Sequence, residues 1–364
     1  MKKILIAFGT RPEVIKLAPV ILELKDEFEV TVLHTGQHKE LVEPMLSLFG
    51  IEPDINLNIM EPNQDLFSLT QSLLPKLKKV IEDTRPDYVM VQGDTTTSYL
   101  TALSSFYQKI PVLHVEAGLR SHDPYYPFPE EMNRKQISHL AYFHFAPTDL
   151  NKKNLLSEGI SKNSIAVTGN TVIDALKQIT NTHIFEKSVP EVLTKVSNNQ
   201  KLLVLTAHRR ENHGKPLMQV FEAIKKLLQD HKELCVIFPA HPNPNVTKAV
   251  EKAAISSDRF LQIKPLDYLS FLHVLKRADL ILSDSGGIQE EASALGKPVL
   301  VLRNETERQE LIESGLGILA GTNPEVVIKH SEALLNGGEI LDASMIYGDG
   351  NAAVRIKKAI KDQL

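Results

Sequence analysis

The chain has 364 residues, enough for about two domains that each bury a core of their own. Its 41 basic and 45 acidic residues leave a net charge of -4 with no basic stripe, which excludes a surface built to coat nucleic acid. Cys235 is the single cysteine, so no disulfide forms within the chain, and no stretch approaches the roughly 18 apolar residues of a membrane span.

The opening apolar run ends at Gly9-Thr10-Arg11, too early for a signal peptide, so residues 3–8 read as a first strand and the protein as cytoplasmic. Pro12 then suits the first turn of a helix, which leaves Arg11 on the preceding loop and Lys16 one turn on. Arg11 suits a diphosphate or carboxylate, and Lys16 either adds a second cation or is a solvated helix lysine. Further strands are expected at 30–34, 88–92, 112–115, 143–146 and 165–168. The strand 88–92 runs into Gly93-Asp94-Thr95, and 112–115 into Glu116-Ala117-Gly118. If these two strands are neighbours, Asp94 and Glu116 face one cavity as an acid and base pair holding a proton between them. Such a pair could also bind Mg²⁺ weakly. Asp94 has a plainer reading as the cap of the following helix. Glu130 opens a helix after Pro127-Phe128-Pro129, Glu131 reads as its solvated partner, and Arg134 is placed to neutralise Glu130 or to bind substrate.

After a polar stretch from Asn181 to Gln200, strands are expected at 202–206, 234–239, 260–263, 280–283, 299–302 and 317–320. The first of these ends in His208-Arg209-Arg210, where His208 is placed to protonate a departing phosphate, and His213 reads as a plain loop residue. Cys235 lies in an apolar run as an inert thiol. His241, after the second strand of this set, is a further candidate ligand contact. The run Ser283-Asp284-Ser285-Gly286-Gly287 restarts as a helix, an anion-binding turn in which Ser285, Gly286 and Gly287 offer free N-H groups to phosphate. A carboxylate one turn on, Glu291, makes sense beside a diphosphate only if it reaches past it to hydroxyls such as those of a ribose. The class is therefore α/β, two Rossmann-like domains facing a central cleft, with a nucleotide-linked substrate. Gly315-Leu316-Gly317-Ile318-Leu319-Ala320 and Gly348-Asp349-Gly350-Asn351-Ala352-Ala353 fit a loose dinucleotide pattern without its strand-to-helix context, so no nicotinamide site is evident. No His/Cys spacing points to a metal.

Gly9-Thr10-Arg11-Pro12-Glu13, Gly93-Asp94-Thr95-Thr96-Thr97, His114 to Arg120, Pro129-Glu130-Glu131, Gly169 to Asp174, Ala207 to Asn212, Asp284 to Glu291, Gly296-Lys297-Pro298, Thr306-Glu307-Arg308 and Tyr347-Gly348-Asp349-Gly350 together resemble the bacterial non-hydrolysing UDP-N-acetylglucosamine 2-epimerases. The resemblance implies a glycosyltransferase-B-like fold with domains at 1–168 and 169–350, the first completed by a C-terminal helix at 351–364. It implies interconversion of UDP-GlcNAc and UDP-ManNAc for polysaccharide synthesis, a homodimer, and no cofactor. It assigns phosphate to Ser285, Gly286 and Gly287, ribose to Glu291, and the diphosphate to Arg11 and His208. Acid and base roles fall to Asp94, Glu116 and Glu130, and substrate contacts to Lys16, Arg134, Arg209, His241 and Arg308. Some relatives bind a second UDP-GlcNAc as activator. Gln37, Arg209 and His241 match that pattern, while Glu40 and Asn63 depart from it, as Gln309 departs from the proline common after Thr-Glu-Arg.

Overall fold

The structure is a computed structural model that describes residues 1–37, 39–61, 64–336 and 345–363. The chain divides into two units, 1–179 with 347–364, and 180–346. In the first unit lie β1 (Lys3–Phe8), β2 (Glu29–His34), β3 (Ile55–Asn56), β4 (Tyr88–Gln92), β5 (Val112–Val115), β6 (Phe143–Ala146) and β7 (Ile165–Val167). They form one sheet in the order β3-β2-β1-β4-β5-β6-β7. All of its pairings are parallel. The second unit carries β8 (Lys201–Thr206), β9 (Leu234–Pro239), β10 (Phe260–Ile263), β11 (Leu280–Ser283), β12 (Val299–Val301) and β13 (Gly317–Leu319). Their order is β10-β9-β8-β11-β12-β13, again parallel throughout.

The reading of alternating strands and helices as an α/β protein holds, because parallel strands buried on both faces must be apolar along their whole length. Every residue of β4 is buried, as is every residue of β11. The strand that escapes sequence reading is β3, whose two residues, Ile55 and Asn56, gain their place only by pairing with Leu33 and His34. Each unit has its own core, with Leu5, Leu77, Val89 and Ile137 in the first. The second packs Leu203, Phe221, Phe238 and Leu282. Between the two sets of strands, the polar stretch folds as short turns of the second unit: Phe185 is buried and stacks on His273 at 3.9 Å.

The first unit extends further than the residue 168 expected from sequence. Asp174, buried on the helix Thr171–Thr180, accepts the N-H groups of Ala352 (3.1 Å) and Ala353 (2.9 Å) at the start of the helix Ala352–Gln363. Those are donors that a helix start leaves unpaired. Asn170 donates to the carbonyl of Tyr347 at 2.7 Å, Lys357 pairs with Glu23, and Lys361 pairs with Glu27. The motifs around Gly169 and Tyr347 are thus two halves of one joint.

In both sheets the strand order reverses once, between β1 and β4 and between β8 and β11. At such a reversal the loops leave in opposite directions and open a crevice at the carboxyl ends of the strands, the usual ligand position in open α/β sheets. Most of the candidate residues follow these four strands.

Candidate functional site

In the first unit, Thr10 and Glu13 form a capping box at the start of the helix Arg11–Leu24, with Pro12 in its first turn. Glu13 does more than cap. It is 1% exposed and accepts from Gly9 N (3.1 Å), Thr10 N (2.8 Å) and Thr10 Oγ1 (2.7 Å), and also from Thr95 Oγ1 and Ser98 Oγ at 2.8 Å each. One buried carboxylate therefore ties the loop after β1 to the loop after β4. Burial raises its pKa, against the lowering effect of these bonds. Gly9 lies inside the clasp, where an added Cβ would come within 2.5 Å of Thr35 Oγ1 and 2.6 Å of Thr97 Oγ1. Arg11 is half-buried, and no hydrogen bond or ion pair holds its side chain among the described residues. Gln37 accepts from Thr97 Oγ1 at 3.0 Å and Glu40 is exposed, whereas Asn63 lies outside the described residues.

β4 and β5 are neighbours, with Gln92 opposite Val115, so Asp94 and Glu116 do leave adjacent strand ends. Each meets a cation of its own, which differs from two acids sharing one proton. Arg134 Nη2 lies 2.6 Å from Asp94 Oδ2. Glu116, 8% exposed, pairs with the buried Lys16 and accepts from Gln92 Nε2 at 3.0 Å. Lys16 is thus neither a solvated helix lysine nor an open cation. Glu116 also sits at φ 64°, a left-handed conformation that non-glycine residues seldom adopt and that concentrates at functional sites. Asp94 does not cap the next helix, because Thr95 does so by accepting from Ser98 N at 3.0 Å.

Glu130 opens the helix Glu130–Leu140 as expected and is half-buried. Glu131 corrects the sequence reading. It is 0% exposed, accepts from Ser121 N (3.0 Å) and His122 N (3.1 Å), and faces Arg134 at 3.4 Å. A solvated acid would do none of this. Arg120, for which sequence gave no role, is also buried, with Glu158 held at 2.8 and 2.6 Å.

His114 supports the same loop from below, with Nε2 2.8 Å from the carbonyl of Gly93. Burial pushes its imidazole down to about 3. An unfolded histidine titrates near ~6.5, so between ~6.5 and about 3 the unfolded chain binds a proton that the folded chain refuses. The stability gained by burying this ring neutral is complete above ~6.5 and declines as pH falls, by about 1.4 kcal/mol per pH unit. Urea unfolding between about pH 7 and pH 4 should show stability falling more steeply with decreasing pH in the wild type than in His114→Asn. Identical slopes would contradict the assignment.

In the second unit, β8 ends at His208. Its Nδ1 lies 3.3 Å from Asp284 Oδ1, and its ring stacks on that of His241 at 5.8 Å and 20°. Asp284 follows β11 and is 0% exposed. It accepts His208 N (3.0 Å), Arg209 N (2.9 Å) and Asn212 Nδ2 (2.9 Å), which binds the β8 loop to the β11 loop as Glu13 does in the first unit. Burial lowers the pKa of His208, and Asp284 opposes this. The side chain of Arg209 carries no ion pair among the described residues.

Ser285 precedes the helix Gly286–Ala294 and leaves its side chain uncommitted to capping. Gly287 is exposed, with no atom within 4 Å of where a Cβ would stand, so its face of the helix start is open to an anion. Gly286 has the opposite reason to be glycine: a Cβ there would come within 2.4 Å of Arg308 Nη1. Arg308 is 6% exposed and engaged by Glu290 (2.7 Å) and by Glu307, so it braces the turn from beneath. Sequence reading placed it among the substrate contacts. Glu291 is buried and accepts from Tyr268 Oη at 2.9 Å. Gln309 Nε2 donates to Thr306 O at 2.7 Å and stabilises the turn that a proline would otherwise stiffen. Cys235 is buried, and burial pushes its thiol up. Among the described residues no group of His, Cys, Asp and Glu is arranged to hold a metal ion, and no helix is long and apolar enough to cross a membrane.

A family model described as UDP-N-acetylglucosamine 2-epimerase matches residues 21–361. A Yersinia pestis protein of that name is 44% identical to the chain, covering 99% of it and 98% of the relative. Among solved structures, the UDP-GlcNAc 2-epimerase from Neisseria meningitidis bound to UDP-GlcNAc superposes with a TM-score of 0.92 at 43% identity, covering 99% of this chain and 100% of the other. The S. aureus MnaA–UDP co-structure does so with a TM-score of 0.91 at 43% identity, covering 100% and 96%.

Proposed function

The chain belongs to the UDP-N-acetylglucosamine 2-epimerase family, and from this premise we propose that it interconverts UDP-GlcNAc and UDP-ManNAc by eliminating and re-adding UDP. The proton on sugar C2 is not next to a carbonyl, so its direct removal would leave an unstabilised carbanion. Breaking the C1–O bond to UDP supplies the missing driving force. As UDP leaves with the bonding pair, positive charge grows at C1. A carboxylate takes the C2 proton, and the C2–H electrons form the C1=C2 bond of 2-acetamidoglucal. Reversal with protonation of C2 from the opposite face, while a UDP oxygen re-forms the bond to C1, gives the epimer. Every atom is returned and no electron is lost.

In this reading Ser285, Gly286 and Gly287 hold phosphate, Glu291 with Tyr268 addresses the ribose, and Arg11 and His208 meet the diphosphate. Stabilising the leaving anion with donors already in place is the largest expected term. Asp94, Glu116 and Glu130 manage the proton, with Arg134 paired to Asp94 and Lys16 to Glu116. The observation that carries the proposal is Glu116, a buried acid in a left-handed backbone conformation at a strand end, with a buried lysine beside it. Packing alone does not call for such a group. The proposal also includes a homodimer in the cytoplasm. It extends to a second UDP-GlcNAc as activator, which Gln37, Arg209 and His241 favour and Glu40 opposes.

Purified protein incubated with UDP-GlcNAc and no added NAD should accumulate intact UDP-ManNAc by NMR. Free ManNAc with UDP would instead indicate a hydrolysing epimerase. Unchanged UDP-GlcNAc that is consumed only with an acceptor would indicate a glycosyltransferase. Thermal stabilisation without any conversion would indicate a sensor.

A further inference from the structure

We propose that Asp284 is a positioning residue that holds the Nδ1–H of His208, so that Nε2 is the ring atom offered to the diphosphate. This rests on reading the β8 and β11 loops as the UDP site. Asp284 Oδ2 already receives three N-H donors, from His208 N, Arg209 N and Asn212 Nδ2. Asn212 is itself fixed by a bond to Leu302 O at 3.0 Å, so the carboxylate cannot swing away. Oδ1 is equally buried but receives no hydrogen bond among the described residues, and His208 Nδ1 stands 3.3 Å from it. An unanswered buried carboxylate oxygen is costly, and catalytic hydrogen bonds are often loose until ligand arrives. The imidazole is the movable partner, since the side chain of His208 is 42% exposed and that of Asp284 is 0% exposed. A small turn of the ring closes the bond, and His241 stacked at 20° sets the plane in which it turns.

The groups facing the ring divide by sign. Asp284 and Glu211 favour the imidazolium, whereas Arg209, His241 and burial oppose it, leaving the free ring less basic than usual. His213 places its Nε2 3.3 Å from the backbone carbonyl of His208 rather than against the ring. A bound diphosphate adds negative charge on the Nε2 side. The ring then takes up a proton there and donates it to the leaving oxygen, while Nδ1–H stays on Asp284. A histidine without that carboxylate would be free to adopt the other tautomer, in which Nε2–H is already present and no proton is gained on binding.

Long-range ¹H–¹⁵N NMR of the full chain, with and without UDP, separates these cases. The expected result is a neutral Nδ1–H ring in the free protein that becomes doubly protonated when UDP binds. Asp284→Asn should move the neutral ring toward Nε2–H and lower kcat by about 10²-fold or more, with a smaller change in KM. Should that variant not fold, the wild-type spectra alone decide the question. Wild-type protein that binds UDP with His208 as the Nε2–H tautomer overturns the assignment and leaves the function standing. Wild-type protein that does not bind UDP overturns the functional reading, and this assignment with it.

Discussion

Replacing Glu116 with Gln is expected to lower the epimerisation rate by about 10²–10⁴-fold, the usual loss when a general acid or base is removed. Gln keeps the size of the side chain and can still face Gln92, but it can neither take nor give the C2 proton. It also leaves Lys16, 6% exposed, without the negative charge beside it. Breaking a buried pair from one side typically costs about 3–5 kcal/mol, so Glu116→Gln should be both slow and less stable. Chemistry and stability can be told apart with Glu116→Gln combined with Lys16→Met. The double variant should regain much of the stability in urea unfolding while its rate stays low. A single variant that epimerises at the wild-type rate would remove Glu116 from the mechanism, and a double variant with restored rate would reduce it to a structural acid.

Gly118→Ala should be the most destabilising single methyl addition in the first unit. Gly118 has φ 97°, and a Cβ there would stand 2.3 Å from the carbonyl oxygen of Asn151 and 2.8 Å from its carbon. Both are backbone atoms of the helix Asp149–Ser157, with no flexible side chain to give way. Conformational strain and overpacking together suggest a loss of ~3–5 kcal/mol, a large share of the ~5–15 kcal/mol by which domains are usually stable. Thermal and urea unfolding would measure it. The change also displaces Glu116 two residues away, so any folded fraction should be poorly active. A variant as stable and active as wild type would show that this turn is not the tight contact described.

Strand ends were the legible part of the sequence. Val, Ile and Leu runs mark parallel strands because both faces are buried, and the residues after them follow from the topology of open sheets. Glu116 was conspicuous as an acid closing an apolar run, and Gly286-Gly287 as a break between strand and helix. What could not be read was pairing across elements. Lys16 and Glu116 are 100 positions apart, and only the order β1-β4-β5 brings their elements together. Glu13 stood in a recognised motif without a role, because two of the residues that hold it, Thr95 and Ser98, follow β4 more than 80 positions away. Asp284 stood inside a recognised motif without a role, because its partners come from β8. Glu131 misled for the opposite reason: acids in a first helical turn are so often solvated that nothing local signals burial. Arg308 similarly carried the chemistry of a phosphate ligand, and the two glutamates that engage it show a brace. In each case the missing information was which distant groups meet a given carboxylate or cation, and that depends on the assembled sheet.

Incubation of the protein with UDP-GlcNAc in D₂O, without NAD and followed by NMR, tests most directly whether a carboxylate removes and returns the C2 proton while UDP is detached. Deuterium should appear at C2 of both UDP-GlcNAc and UDP-ManNAc as the two sugars equilibrate. Epimerised product that still carries its original hydrogen at C2 would contradict the mechanism.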